Sequence, residues 1–393
     1  MHLTLKKLLL KDENWYRYRQ FYSEHGEIRG SVDYSINKIL SCRHYMRGHA
    51  HYHCSNPSCT HEKRVHFSCK DRGCSACGKI ATDNWLQKNK ELLPPCPWQH
   101  ITFTMPKALS DLFLVNRPLL NQLPALAGDI LNQLAKAKGL KPGIFMALHT
   151  FGRTLNWHVH LHVSVTQGGL TNDLQWNKLF FKKNILMTMW RYALITFLRQ
   201  QNRQGTLTQS PGMGNQSMSA MLSEQYAKYW QVHCAKPHKN PKKDIEYLGR
   251  YIKRPAIANS RLVHYNGTSL LFKFLNHRTK QTQYTELHPF DFITRFIQHL
   301  PEKGFRLIRY FGFLANRLRA QLLPVVSSLF NHQPNKKQRS WALRVKYQSG
   351  RNPLDCILCK QDMRLSFLLF KLSSKQLMNY STQIALQKPI RIN

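Results

Sequence analysis

Apolar and polar residues alternate in several short segments of the chain, and this period of two predicts β-strands. The segments are "WQHITFTM", "GIFMALHTF" and "NWHVHLHVSV", and a further strand is expected in "KYWQVHCAKP". Only "GRTLN" separates the second segment from the third. These two strands are therefore expected to form an antiparallel hairpin.

Helical periodicity is found on both sides of these strands. Residues 1–40 are expected to be helical, and the segment after Leu109 is mostly helical with interruptions at Pro118 and Pro124. The stretch "LQWNKLFFKKNILMTMWRYALITFLRQQ" predicts one amphipathic helix. The stretch "PKKDIEYLGRYIKRP" predicts another helix, with a proline at each end. Residues 201–219, rich in Gly, Ser and Gln, are expected to form an exposed loop.

These elements divide the chain into four successive parts. A helical arm covers residues 1–40, a segment rich in cysteine and histidine covers 41–95, a main domain covers 96–300, and a basic region covers 301–393. With 393 residues, the chain is long enough for two or three domains with a sizeable core.

The charge of the chain is strongly one-sided. Lys and Arg number 58 against 20 acidic residues, which gives a formal net charge of +38. This balance indicates a polyanionic partner, usually nucleic acid, and a membrane surface is the alternative. Since no apolar run reaches about 18 residues and the start lacks a signal-peptide pattern, we expect a cytoplasmic protein without a membrane span.

Five of the ten cysteines fall within 24 residues, among several histidines. Without an export signal, this clustering indicates a metal rather than disulfides, and zinc fits four soft or borderline ligands. The segment holds too little apolar material for a core of buried thiols, so metal binding would supply its folding energy. The expected ligands come from Cys54, Cys59, Cys69, Cys74, Cys77 and His49, with Cys42, His51 and His53 as further candidates for a first or a second site.

Cys356 and Cys359 form an isolated Cys-x2-Cys pair near the C-terminus. The pair is half of a zinc ribbon, but the sequence offers no evident partner pair for it. Whether zinc binds there stays open.

The segment "NWHVHLHVSV" predicts a strand with His158, His160 and His162 on one face. Imidazoles at this spacing can converge on one metal ion. The alternative is a solvated strand face, but three histidines beside an apolar opposite face favour a metal. A third ligand would come from His149 on the hairpin partner or from His158 itself.

Tyr247 and Tyr251 lie four residues apart, which places them on one face of the predicted helix. Alone, the pair could be two tyrosines at the rim of a core. A tyrosine hydroxyl is also a competent nucleophile towards a phosphodiester when a metal polarises the phosphate. The surrounding cations would bind the nucleic-acid backbone, and they are Lys242, Lys243, Arg250, Lys253 and Arg254.

The joint order of these motifs resembles that of HUH endonucleases, and more closely the two-tyrosine rolling-circle insertion-sequence transposases of bacteria. The resemblance runs from "GHAHYHC" through "LHTFGRTLNWHVHLHVSVTQGGL" to "YLGRYIKRPAIANSRL", about residues 30–320. It implies an α+β fold: an antiparallel HUH-type sheet with a central histidine strand and packed helices, preceded by a small zinc-binding domain. The spacing Cys54-x4-Cys59 departs from the tighter pair usual in the family.

The resemblance also implies a chemistry. His160 and His162 would be the metal pair, and the ion would be Mg²⁺ or Mn²⁺. Tyr247 and Tyr251 would nick single-stranded element ends through a 5′-phosphotyrosine intermediate and then rejoin them. The sequence has no Walker A motif, so strand separation would need a host helicase or supercoiling. Host replication proteins are further expected partners, and the protein is expected at the nucleoid.

Two other functions compete with this one. A non-catalytic zinc-dependent DNA-binding regulator would explain the charge and the cysteines, but not the histidine strand with the tyrosine pair. A tyrosine recombinase of the integrase type would require an Arg-His-Arg set and no metal.

Overall fold

The structure is a computed structural model, and it describes residues 2–24, 28–235, 245–247, 249, 254–276, 279–334 and 340–370. The α-helices are α1 Leu5–Leu10, α2 Asn14–Ser23, α3 Gly30–Leu40, α4 Ser75–Leu92, α5 Lys107–Val115, α6 Leu123–Lys136, α7 Lys183–Arg203, α8 Met218–Ala227, α9 Pro289–Ile297, α10 Asn316–Leu329 and α11 Trp341–Ser349. The strands are β1 His49–Cys54, β2 Glu62–His66, β3 Trp98–Phe103, β4 Lys141–Phe151, β5 Trp157–Leu170, β6 Trp176–Lys178, β7 Val232–Cys234, β8 Leu262–Tyr265, β9 Leu270–Leu275, β10 Thr282–Leu287, β11 Ile308–Gly312 and β12 Met363–Leu369. Residues 245–247 are also helical.

The chain packs into two compact units. The first comprises Met1–Ile80, Ile257–Lys303 and Lys337–Asn393, and the second comprises Ala81–Ala256 and Gly304–Lys336. Both units are discontinuous in sequence, whereas the division made from the sequence was linear. The described residues 2–24 and 28–80 near the N-terminus and 340–370 near the C-terminus therefore belong to one unit.

A six-stranded antiparallel sheet forms the centre of the second unit. Its strands follow the order β11-β4-β5-β3-β7, and β6 pairs with the end of β5. The histidine strand β5 is central, and β4 and β5 form the predicted antiparallel hairpin. The expected fold class, an antiparallel sheet with packed helices, is confirmed.

The two faces of this sheet contact different layers. On one face, Val159, Leu161 and Val163 are buried in a core to which α5, α6 and α7 contribute. On the opposite face, Trp98 and Phe145 pack with residues of α4 and α10 in a second, smaller core. Alternation along β5 places its histidines on this second face, beside a core that covers it only in part.

The sequence prediction was wrong about the start of the long amphipathic helix. The segment "WNK" is the short strand β6, and α7 begins only at Lys183. Trp176 is held in the sheet because its ring packs against Gly168, where a Cβ would lie 2.5 Å from the indole. The predicted loop at 201–219 is also shorter than expected, since α7 extends to Arg203 and α8 begins at Met218.

Two three-stranded antiparallel sheets and several helices build the first unit. One sheet has the order β12-β1-β2, and the other has the order β10-β9-β8. The helices expected at the N-terminus are confirmed, and they pack against distant parts of the chain. Tyr18 of α2 forms a hydrogen bond with Thr294 of α9 at 3.1 Å, and its ring makes an edge contact with Phe290.

Every helix in the described part of the chain is too short or too polar to cross a membrane.

Replacing Gly312 by alanine should destabilise the second unit more than replacing Gly205. Both glycines have positive φ, so either alanine meets a backbone cost of roughly 1–2 kcal/mol. At Gly312 the new Cβ would also lie 1.7 Å from the carbonyl oxygen of Pro142, whereas at Gly205 it meets nothing within 4 Å. Urea unfolding of the two variants measures the difference, and equal losses of stability would contradict this account of the β11–β4 junction.

Candidate active site

The histidine-bearing face of β5 contains the candidate catalytic centre. Pairing with β4 sets His149 opposite His160 and Ala147 opposite His162. Side chains of paired residues lie on the same side of a sheet, so the imidazole of His149 approaches those of β5 from the neighbouring strand.

Three imidazoles converge on this face. The ligand nitrogens of His149, His160 and His162 all lie within 4.8 Å of one another, and the Nε2 atoms of His160 and His162 are 3.1 Å apart. The structure thus brings together the sequence-predicted pair and His149. The ring of His158 lies outside this group, although its backbone carbonyl accepts a hydrogen bond of 3.0 Å from Nδ1 of His160. That hydrogen bond leaves Nε2 of His160 as the lone-pair atom, which is the form that binds metal.

The electrostatics of the group favour neutral imidazoles. Burial, followed by the charge of His149, lowers the pKa of His160 to about 3. The same two causes, in the same order, hold the pKa of His162 well below its usual value. Neutral imidazole is the ligand form, so this donor set fits a divalent ion at neutral pH. Of the two expected ions, Mn²⁺ suits nitrogen donors better than Mg²⁺, which takes oxygen ligands.

His100 on β3 is a member of this site that the sequence analysis missed. Its Nε2 lies 3.1 Å from Nδ1 of His162, the ring nitrogen remote from His160. Partners at the second nitrogen orient metal-bound histidines, so His100 is placed to position His162. The alternation in "WQHITFTM" does put His100 on the polar face of a strand, but it does not reveal which residue lies opposite.

Tyr247 is the part of the predicted tyrosine pair that the structure describes. Its half-buried ring makes an edge contact with His100, with ring centres 5.4 Å apart, and it packs against the core around Trp85. The charge of exposed Arg254 contributes to lowering the pKa of His162, after burial and the neighbouring histidines. The remaining predicted residues of this helix lie outside the described residues, and they are Tyr251, Lys242, Lys243, Arg250 and Lys253.

The cysteines of the first unit form two separate groups of four. In the first group, the Sγ atom of Cys77 lies 3.6 Å from that of Cys42 and 3.5 Å from that of Cys69, and Cys74 completes the set. Tetrahedral Zn²⁺ with Zn–S bonds of about 2.3 Å separates its sulfurs by roughly 3.8 Å, so these four thiols fit the ion. Backbone N–H groups of Cys69 and Asp71 point at two of the sulfurs, as in zinc knuckles.

The second group consists of Cys54, Cys59, Cys356 and Cys359. Cys54 and Cys59 were expected to bind zinc together with Cys69, Cys74 and Cys77, but the structure separates these two subsets. His49 belongs to neither group: it is a buried residue of β1, and its ring contacts those of His51 and His66. The expected ligand set lacked some members of these groups: Cys42, which the sequence offered only as a further candidate, and the distant pair Cys356 and Cys359.

Two family models match parts of this chain. Residues 143–321 match a family model described as "Putative transposase", and residues 13–105 match one described as "Transposase zinc-binding domain". The two matches define a transposase with an N-terminal zinc-binding domain, and they support Zn²⁺ as a structural ion. No solved structure matches the chain.

Two curated relatives cover most of the chain. The transposase for insertion sequence element IS801 of Pseudomonas savastanoi pv. phaseolicola is 41% identical over 362 residues, which is 90% of this chain and 87% of that protein. A protein of Sinorhizobium fredii, described as "Putative transposase y4qJ", is 29% identical over 79% of this chain and 83% of its own length. The chain belongs to the family of insertion-sequence transposases, enzymes that act on DNA.

Replacing His160 by alanine should weaken Mn²⁺ binding at least tenfold, because it removes one of three converging imidazoles. Replacing His158 is the matched control: it lies on the same strand face, but its ring is outside the group, and the variant keeps the backbone carbonyl that orients His160. Titration of Mn²⁺ followed by electron paramagnetic resonance measures both affinities. Loss of binding in the His158→Ala variant and not in His160→Ala would reverse the ligand assignment.

Acidification should destabilise the second unit. Burial, followed by the charge of His233, lowers the pKa of His100 to about 4, so the folded state binds fewer protons than the unfolded state once the pH falls below the usual imidazole value. Stability is therefore greatest above that value and declines towards pH 4, by about 2 kcal/mol at pH 5 from His100 alone. Urea unfolding at pH 7 and pH 5 should give a smaller difference for His100→Gln than for the unchanged chain. An unchanged difference in that variant would exclude His100 as the cause.

Proposed function

We propose that the chain nicks and rejoins single-stranded DNA at insertion-sequence ends, with a tyrosine as nucleophile and a divalent ion on the imidazole group. One observation carries the proposal. The ring of His100 contacts His162 of the three-imidazole group at 3.1 Å and also makes an edge contact with Tyr247. A phosphodiester bound beside His162 would lie near the metal ligands and near the ring of Tyr247, whose hydroxyl is the proposed nucleophile.

The reaction assigned to these residues is a transesterification. The Oη atom of Tyr247 attacks the scissile phosphorus and loses its proton as the new O–P bond forms. The bond from phosphorus to O3′ breaks, and the departing oxygen takes up a proton to become a free 3′-hydroxyl. Transfer of the phosphoryl group from tyrosine to a 3′-hydroxyl reverses these steps and rejoins a strand.

The surroundings of the site suit this chemistry. A divalent ion bound by His149, His160 and His162 would polarise the phosphate and stabilise the charge of the transition state. His100 positions His162, and the guanidinium of Arg254 adds a positive charge near the same imidazole. The net charge of +38 favours a nucleic-acid backbone over the whole surface.

The second tyrosine and the flanking cations complete the proposal by family resemblance. Tyr251 would perform the matching cleavage at the other element end, and Lys242, Lys243, Arg250 and Lys253 would hold the DNA backbone. Unpaired ends would come from a host helicase, and the free 3′-hydroxyl could prime replication by host proteins.

Formation of a covalent adduct tests the proposal. A labelled single-stranded oligonucleotide with the element's end should become attached to the unchanged chain in Mn²⁺ and not in chelator. The double variant Tyr247→Phe with Tyr251→Phe should lose the adduct, because the ring without its hydroxyl cannot attack phosphorus. Tyr192→Phe is the matched control, since Tyr192 is an exposed tyrosine of α7 in the same unit.

Each alternative has its own outcome in this experiment. Cleavage that persists in the double variant would exclude the tyrosines, and cleavage that is indifferent to chelator would exclude the metal. Tight binding of the oligonucleotide in Mn²⁺ without any adduct would support the non-catalytic regulator instead.

A further inference from the structure

A second four-cysteine group joins parts of the chain that lie about 300 residues apart. The Sγ atoms of Cys54 and Cys359 are 3.3 Å apart, and those of Cys59 and Cys356 are 3.7 Å apart. All four sulfurs lie within 4.8 Å of one another. The zinc-binding family match ends at residue 105, so it includes only the first two of these cysteines.

Tight turns present the sulfurs on both sides. In the C-terminal turn, the N–H of Cys356 donates to the carbonyl oxygen of Gln361 at 2.8 Å, and the N–H of Lys360 donates back to that of Cys356 at 2.9 Å. In the N-terminal turn, the N–H of Cys59 donates to the carbonyl oxygen of Asn56, and the N–H of Asn56 points at the sulfur of Cys54. Each turn thus holds two thiols towards a common point, as metal knuckles do.

Pairing of two strands brings the two turns together. Strand β12 pairs antiparallel with β1, from His49 opposite Leu369 to Cys54 opposite Met363. Next to the cysteines, the N–H of Ser55 donates to the carbonyl oxygen of Asp362 at 2.9 Å, and the amino group of Lys63 donates to that of Pro353. Both turns are therefore held at one end of a shared sheet.

Apolar burial cannot account for this attachment. Within the described residues, the cluster at this end has Cys54, Cys356 and Met363 as its fully buried members. Ile357 and Leu358, between the C-terminal cysteines, are 67% and 68% exposed. A segment with so small a core needs a cross-link or a metal to be stable.

The chemistry of the donors selects the ion. Four thiols are a soft ligand set that suits Zn²⁺, and their approach to one point would be repulsive once they ionise without a cation. The Nδ1 atom of His61 lies 3.2 Å from the sulfur of Cys356, which suits an N–H donor to a coordinated thiolate. Disulfides would join the sulfurs in separate pairs at about 2.05 Å. Two disulfides do not require all four sulfurs to converge on one point.

We propose that a second Zn²⁺ binds Cys54, Cys59, Cys356 and Cys359, and that it fastens the C-terminal residues 352–369 to the N-terminal zinc-binding domain. Segments from the N-terminal and C-terminal sides of the chain then build this domain together. In sequence, most of the second unit lies between these segments. This inference does not rest on the proposed nuclease chemistry, because metal content and strand protection are measured without DNA.

Zinc analysis of the full chain tests this site. Inductively coupled plasma mass spectrometry should give two zinc ions per chain for the unchanged protein, one for each four-cysteine group. The variant Cys356→Ser with Cys359→Ser should retain one. Cys234→Ser is the matched control and should retain two, since Cys234 lies outside both groups. Hydrogen exchange along β12 should become faster in the double variant, while exchange in α6 of the other unit stays unchanged.

Alkylation of the unchanged chain gives a second measurement that needs no variant. Under native conditions, iodoacetamide should spare Cys54, Cys59, Cys356 and Cys359, and a chelator should expose all four together. One zinc ion per chain, alkylation of Cys356 and Cys359 before chelation, or a peptide that links Cys54 to Cys359 by a disulfide would each overturn the proposal.

Discussion

The candidate active site depends on one pairing, the antiparallel register between β4 and β5. Because side chains alternate along a strand, a slip by one residue would turn the imidazoles of β5 into the core formed with α5, α6 and α7 and would move Val159 and Leu161 out of that core. Burying each such side chain contributes about 1.5–3 kcal/mol, so several kcal/mol oppose the slip. The apolar face of β5 thus holds the histidines opposite His149 on the other face.

The first unit contains two cysteine groups in addition to buried apolar side chains such as Trp15, Ile36 and Phe292. Few apolar side chains are buried beside the group of Cys54, Cys59, Cys356 and Cys359, and its two halves lie far apart in sequence. Metal–sulfur bonds are strong and directional, so a small number of them would stabilise a segment that buries little apolar surface of its own. The transposase therefore combines a sheet stabilised by burial with a domain to which bound zinc would add stability.

Local pattern predicted much of the fold. The period of two in "NWHVHLHVSV" and the short "GRTLN" connection were enough for the β4–β5 hairpin, and the terminal helices followed from amphipathic spacing. The prediction of a helix that includes Trp176 was wrong, because this tryptophan pairs with the end of β5, and that pairing overrides the helical spacing. Such pairing depends on a partner strand that lies outside the short stretch of sequence from which a helix is predicted.

By itself, the sequence determined which side chains share a strand face. It also showed a cluster of cysteines suited to a metal ion and a positive charge suited to binding DNA. These properties depend on neighbours two to four residues apart, where backbone geometry leaves little choice. Only the tertiary structure decided that His149 rather than His158 joins His160 and His162, that His100 contacts His162, and that Cys356 and Cys359 meet Cys54 and Cys59. Strand pairing brings those partners together from segments up to 305 residues apart. The spacing of residues along the chain does not indicate which of these segments will pair.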